Sequence, residues 1–315
     1  MPPSGDLTGR ADTAALAAGL AAAGAVYVIP AVYYLTTLVM TAGGKITGAG
    51  RAASGNEPAS RSAVSRFKPG SAASGAMISA PAGVGAWELR GLTLDGTTVT
   101  NATPYTHIVE LAANQPTVRT ASYVTIAGCD VLSSGSHGVY VGTGRDAVRV
   151  DNCLIRGHAG SAVYIDGADC VISRCGLGFS GAGYTVTTNG EMTRITDCDI
   201  FDNTLGGQIS ASRVYVQGCS HDQQQQQAII VDSAAAGVSL HGRFISNSLA
   251  SSGTYPHADV SASAAGGVTF TPGTMFAAQE FGDTQKVSYD IFANGVTVND
   301  YSTFAAAGFA LGHLG

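Results

Sequence analysis

Carboxylates are the residues here that could do chemistry, because cleaving a glycosidic bond takes two of them across a groove, roughly 5 to 9.5 Å apart. Asp95, Asp130, Asp151, Asp166, Asp197, Asp199, Asp202, Asp222 and Asp232 are available. Position in the sequence sorts them. Asp130, Asp151, Asp197 and Asp199 flank a recurring phrase where turns need Asx side chains for their own backbone. Asp202, His221 and Asp222 fall in the turn before a strand in neighbouring repeats and form the candidate catalytic set. His137 and His158 share that turn and are candidate carbohydrate contacts. Asp166 and Asp232 end equivalent strands three repeats apart, about 14 Å along the stacking axis, too far for a direct pair but each able to hold a sugar. Tyr140, Tyr164 and Tyr184 either stack on sugars or line the core; the sequence leaves both open.

The recurring phrase reads Val124-Thr-Ile-Ala-Gly-Cys129, Val148-Arg-Val-Asp-Asn-Cys153, Cys170-Val-Ile-Ser-Arg-Cys175, Thr193-Arg-Ile-Thr-Asp-Cys198 and Val214-Tyr-Val-Gln-Gly-Cys219. A degenerate copy ends at Arg243. The terminal cysteines are spaced 24, 22, 23 and 21 residues apart. A second phrase keeps step: Gly138-Val-Tyr-Val141, Ala162-Val-Tyr-Ile165, Tyr184-Thr-Val-Thr187, Gly207-Gln-Ile-Ser210 and Ala228-Ile-Ile-Val231. Short alternating strands with Gly, Ser, Asn and Asp turns, and no room for a helix, predict a parallel β-helix whose coils rise about 4.8 Å each. Stacked cysteines would point inward as reduced, buried thiols, their parallel Cβ directions being poor for disulfides.

Composition excludes several classes. A net charge of −6 with scattered Lys and Arg offers no stripe for nucleic acid. The apolar stretch from Val26 to Met40 is interrupted by Pro30 and reads as strands, so no membrane insertion is expected. The opening Met1-Pro-Pro-Ser-Gly-Asp lacks a signal peptide's basic and apolar regions. No Cys-x-x-Cys or Cys/His spacing suggests zinc, and no cofactor or metal is expected.

In chain order, residues 1–24 read as a lead-in and a capping helix, with Asp12 as N-cap, Leu16 and Leu20 on one face and Gly24 as the stop. The β-helix is expected over 25–270, with inserted loops at about 52–86 and 96–121. Leu92 takes the cysteine position of an early coil. Residues 271–315 hold a large share of the aromatics, with Asn294-Gly295 as a turn, and are expected to close the last coil or join partner chains.

The helix of Asp12-Thr-Ala-Ala, the Val26-Tyr-Val-Ile-Pro30 strand and Ile46-Thr-Gly-Ala-Gly50-Arg51 resemble the opening of the pectate-lyase-like superfamily of right-handed β-helices, and the coil repeat extends the likeness to about residue 250. The expected fold is therefore all-β, a right-handed parallel β-helix with an N-terminal helical cap and an aromatic-rich C-terminal cap. That superfamily includes polysaccharide lyases, glycoside hydrolases and phage spikes. Its polygalacturonase-like catalytic set and its calcium-site carboxylate cluster are absent here. The resemblance implies a spike or fibre of a phage or phage-like particle, exposed on the virion surface, partnered by bacterial surface polysaccharide and other particle proteins, and trimeric. A polysaccharide depolymerase, lyase or hydrolase, is the alternative; a purely structural particle protein is the third.

Overall fold

The computed structural model describes residues 1–51, 64–98, 100, 102–113, 120–225, 229–231, 235 and 238–246, followed by strands at 258–262, 268–271, 288–292, 296–298 and 310–312. Helix α1, Arg10–Ala23, precedes a stack of coils, most of which turn through three short strands among the described residues. In one central coil these are Arg149–Asp151, Leu154–His158 and Ser161–Ile165. Each strand pairs in parallel with its counterparts in the coils on either side. Among the described residues the third strands form one eleven-stranded sheet, and we number the coils 1 to 11 along it.

The recurring phrase is the corner between first and second strands. Its fifth residue takes left-handed backbone at Gly91, Gly128, Asn152, Arg174, Asp197 and Gly218, with φ of 62°, 59°, 50°, 54°, 54° and 64°. The next residue then turns inward, which is why Leu92 and five cysteines recur there and are buried. All six cysteines are free. Cys153, Cys175, Cys198 and Cys219 each direct Sγ to carbonyls of their own and the preceding coil. Cys170 starts its phrase and packs separately, where burial pushes its thiol up to about 12.

Inside, the first strands stack Val26, Ile46, Leu89, Ile126, Val150, Ile172, Ile195, Val216 and Leu240 in one file. Burying each such side chain contributes about 1.5–3 kcal/mol before chain entropy is subtracted. Leu16 and Leu20 of α1 close the lower end of this file as expected, and the Gly24 N–H caps Leu20 O at 2.8 Å. Asp12 does not cap the helix. It lies inside the first turn, where its carboxylate accepts the Ser4 N–H at 2.6 Å and the Tyr34 N–H at 2.9 Å, fixing helix to coil 1. The Ala11 N–H is instead satisfied by Asp6, 2.9 Å away.

Two expectations about the ends of the solenoid are corrected. Strands Ser65–Pro69 and Gly75–Ala80 complete coil 2, and Tyr105–Leu111 is the third strand of coil 3, so both regions read as loops carry regular coil structure. Beyond residue 270, Ser288–Phe292 pairs in parallel with Ala258–Ala262, and Val296–Val298 with Val268–Thr271. These strands on either side of Asn294-Gly295 continue two different strand rows and are not a hairpin. No helix among the described residues is long and apolar enough to cross a membrane.

Candidate functional site

On the third strands one residue in each coil faces outward between two buried neighbours. In register these are Ser79, Glu110, Tyr140, Tyr164, Thr185 and Gln208 from coil 2 to coil 7. His107 and His137 lie two residues before the aligned, buried Val109 and Val139. The result is a half-buried four-ring stack. His107 and His137 are 5.4 Å apart with planes within 5°, and His107 and Tyr140 are 4.8 Å apart within 17°. His137 approaches Tyr164 at 4.6 Å, and Tyr140 meets Tyr164 at 5.3 Å within 13°.

Backbone hydrogen bonds orient the imidazoles. His107 Nδ1 accepts the His137 N–H at 3.4 Å, and His137 Nδ1 accepts the Ser161 N–H at 2.9 Å. In the neutral ring Nε2 must then carry the proton in both. Burial lowers the pKa of His107, and burial with the His107 neighbour lowers that of His137 to about 4. Burial and the Asp166 charge raise the pKa values of Tyr140 and Tyr164. At neutral pH the stack is therefore an uncharged surface of hydroxyl and N–H groups.

Ring faces are mostly used up. Tyr140 has His107 on the side of coil 3 and Tyr164 on the side of coil 5. On the side of coil 6 Tyr164 is aligned with Thr185, and no ring of the described residues stacks there. Asp166, a few residues on, accepts from the hydroxyls of Thr143 and Thr187 and from Asn189 Nδ2 at 2.9 Å. It ties coils 4, 5 and 6 together beside the open Tyr164 face.

Other candidate residues lie elsewhere. Tyr184 is fully buried, aligned with Val163 and Gly207, so no sugar reaches it. Its ring occupies the space a Cβ at Gly207 would need, and its hydroxyl meets His221 Nε2 at 3.0 Å. His221 is aligned with Ile200 and 0% exposed, an inward member of the second-strand file. Asp202 is half-buried at a left-handed bend, φ 52°, and Asp222 is aligned with Phe201. The set Asp202, His221 and Asp222 is thus not gathered on one groove wall, because the histidine is inside the solenoid. His158 is also buried: Nδ1 lies 2.8 Å from Ser134 Oγ and Nε2 3.2 Å from Val131 O, and burial lowers its pKa to about 3. It aligns with Ser134, not with His137. Asp232 lies outside the described residues.

Sequence reasoning missed His107 and Glu110. His107-Ile-Val-Glu110 occupies the same register as His137-Gly-Val-Tyr140, a signal hidden by reading residues 96–121 as a loop. Among the described residues no group of three or more His, Cys, Asp or Glu could hold a metal.

A family model described as a right handed beta helix region matches residues 117–271. The chain has the right-handed parallel β-helix fold. Among solved structures it resembles the enzymatically active domain of tailspike protein 2 of bacteriophage CBA120, at TM-score 0.58 and 12% identity over 94% of this chain and 43% of that one. The full-length tailspike, from an Escherichia coli O157:H7 bacteriophage, matches at TM-score 0.56 and 12% identity over 95% of this chain. This β-helix spans 38% of that full-length protein. The A-module of the Azotobacter vinelandii mannuronan C-5 epimerase AlgE6 matches at TM-score 0.58 and 16% identity, over 98% of this chain and 96% of that one. No curated protein matches the sequence.

Proposed function

We propose that this β-helix binds bacterial cell-surface polysaccharide as a spike or fibre component of a phage or phage-like particle, a homotrimer displayed on the virion surface. The observation that carries the reading is the His107, His137, Tyr140 and Tyr164 stack, a half-buried, uncharged array of hydroxyl and N–H donors that ends on a Tyr164 face no other ring covers among the described residues. Neutral sugars are recognised by such donors together with a ring that covers their apolar face. The tailspike and epimerase likenesses support the choice of a long polysaccharide running across the coils.

The stack favours binding over cleavage, since of the two carboxylates beside it, Glu110 and Asp166, the second is already committed to three donors, and cleavage takes a free pair. The test is equilibrium binding of the assembled protein to purified surface polysaccharides, with chain length followed in parallel. Tyr164→Ala, which removes the open face, is expected to weaken binding at least tenfold. Tyr140→Phe, which removes one hydroxyl, is expected to weaken it a few-fold. Shortening of the polymer, or unchanged binding by Tyr164→Ala, contradicts the reading.

A further inference from the structure

The second strands carry a different outward row, in which Asp95, Leu132, Arg156, Gly178 and Phe201 follow one another from coil 3 to coil 7. A cleft of about 330 Å³ opens on it, with Asp95, Thr97, Leu132, Arg156 and Phe179 in its lining. Asp95 is nine-tenths buried and already engaged. Lys68 Nζ lies 3.4 Å from its carboxylate, and the Thr97 N–H and hydroxyl donate to it at 3.1 and 2.6 Å.

Arg156 has no such counterion. Its aligned neighbours, Leu132 and Gly178, carry no charge, and among the described residues no carboxylate forms an ion pair with it. The acid it influences, Asp130, is buried one coil below. Phe179 stands beside it, 54% exposed and in left-handed backbone at φ 51°. A bulky residue gains nothing from that conformation, nor from exposure, in the free protein. It is held there by Phe201, 5.5 Å away at 86°, whose ring fills the space over Gly178. An unpaired guanidinium and a rigidly propped aromatic face therefore flank one sugar-sized cleft.

We propose that this cleft is a second sugar site, selective for a pyranose that bears a carboxylate. Arg156 pairs the carboxylate through two parallel N–H donors, and Phe179 covers the apolar face of the ring. The Asp95 carboxylate nearby disfavours a dianion such as a phosphate monoester and suits a single negative charge. This site lies on a different strand row from the four-ring stack and stands whether or not that stack binds.

The test is calorimetric titration of the full chain with uronate-containing oligosaccharides and with the same oligosaccharides after carboxyl reduction. Wild type is expected to bind the acidic form at least tenfold more tightly, with the preference shrinking as salt is raised. Arg156→Gln is expected to abolish the preference, and Phe179→Ser to weaken both forms alike. Tyr164→Ala is expected to keep the acid preference, which separates this site from the stack. Equal binding of acidic and reduced forms by wild type, or an undiminished preference in a folded Arg156→Gln protein, overturns the proposal.

Discussion

Arg145 is 1% exposed and forms no ion pair with a carboxylate among the described residues. Its guanidinium donates to the carbonyls of Ala112 and Val84 at 2.7 Å each, to Ala80 at 2.9 Å and to Pro81. These carbonyls belong to the segments that leave the third strands of coils 2 and 3, so one cation fastens two irregular exits to coil 4. Arg145→Met keeps most of the bulk and strands the carbonyls, and should cost roughly 2–5 kcal/mol in urea unfolding. Asp130 gives a pH signature. Burial, opposed by Arg51, by the Thr93 hydrogen bond and by Arg156, pushes its pKa up from 3.8 to about 6. The folded state thus holds this proton more tightly than the unfolded chain, and the associated stability is present below about 3.8 and lost as pH rises through about 6. The melting temperature should fall across that window, and Asp130→Asn should flatten the fall. Binding through the stack should be level from pH 5 to 8, because His137 stays neutral with a pKa near 4. Which side of the sheet these residues occupy was only partly legible. Tyr140 and Tyr184 belong to similar phrases, yet a register difference of one residue puts Tyr140 outside and Tyr184 inside.

The unit of this fold is the corner, not the strand. A left-handed residue followed by an inward one repeats through coils 3 to 8, and the cysteine that ends the phrase made it visible in the sequence. Asn152 occupies one such corner at φ 50°. Asn152→Gly should be nearly neutral, whereas Asn152→Val should cost about 1–2 kcal/mol, because a β-branched side chain clashes in left-handed backbone. A shift of the urea midpoint at unchanged slope would register it. The buried thiols supply a second check: all six cysteines should resist alkylation in the native protein and react in denaturant. Coils 2 and 3 were illegible for a physical reason. Insertions between their strands break the period, and parallel pairing across such insertions depends on contacts that no local pattern encodes. His221 was misplaced because it lies within a strand, Tyr215–Gln224, and not in a turn, so it takes an inward position aligned with Ile200.

On the scale of the whole molecule, eleven stacked third strands at about 4.8 Å make a rod about 50 Å long. The two candidate surfaces lie on separate strand rows of this rod. In the proposed reading the four-ring stack binds neutral groups and the Arg156 cleft a charged one. Fold class, capping helix and repeat were all legible from residues 11–51 and 124–246, because stacked structure repeats its chemistry in sequence. The proposed binding surface was legible only where its residues fall inside the period, as Tyr140 and Tyr164 do, and not where they fall outside it, as His107 does. The proposal that the third-strand face grips a bacterial surface polysaccharide is tested most directly by binding of the assembled protein to polysaccharides from candidate hosts, wild type beside Tyr164→Ala. Wild type is expected to retain polymer of unchanged length, and the variant to retain it at least tenfold more weakly. Equal retention by both, or none by wild type from any candidate host, would contradict it.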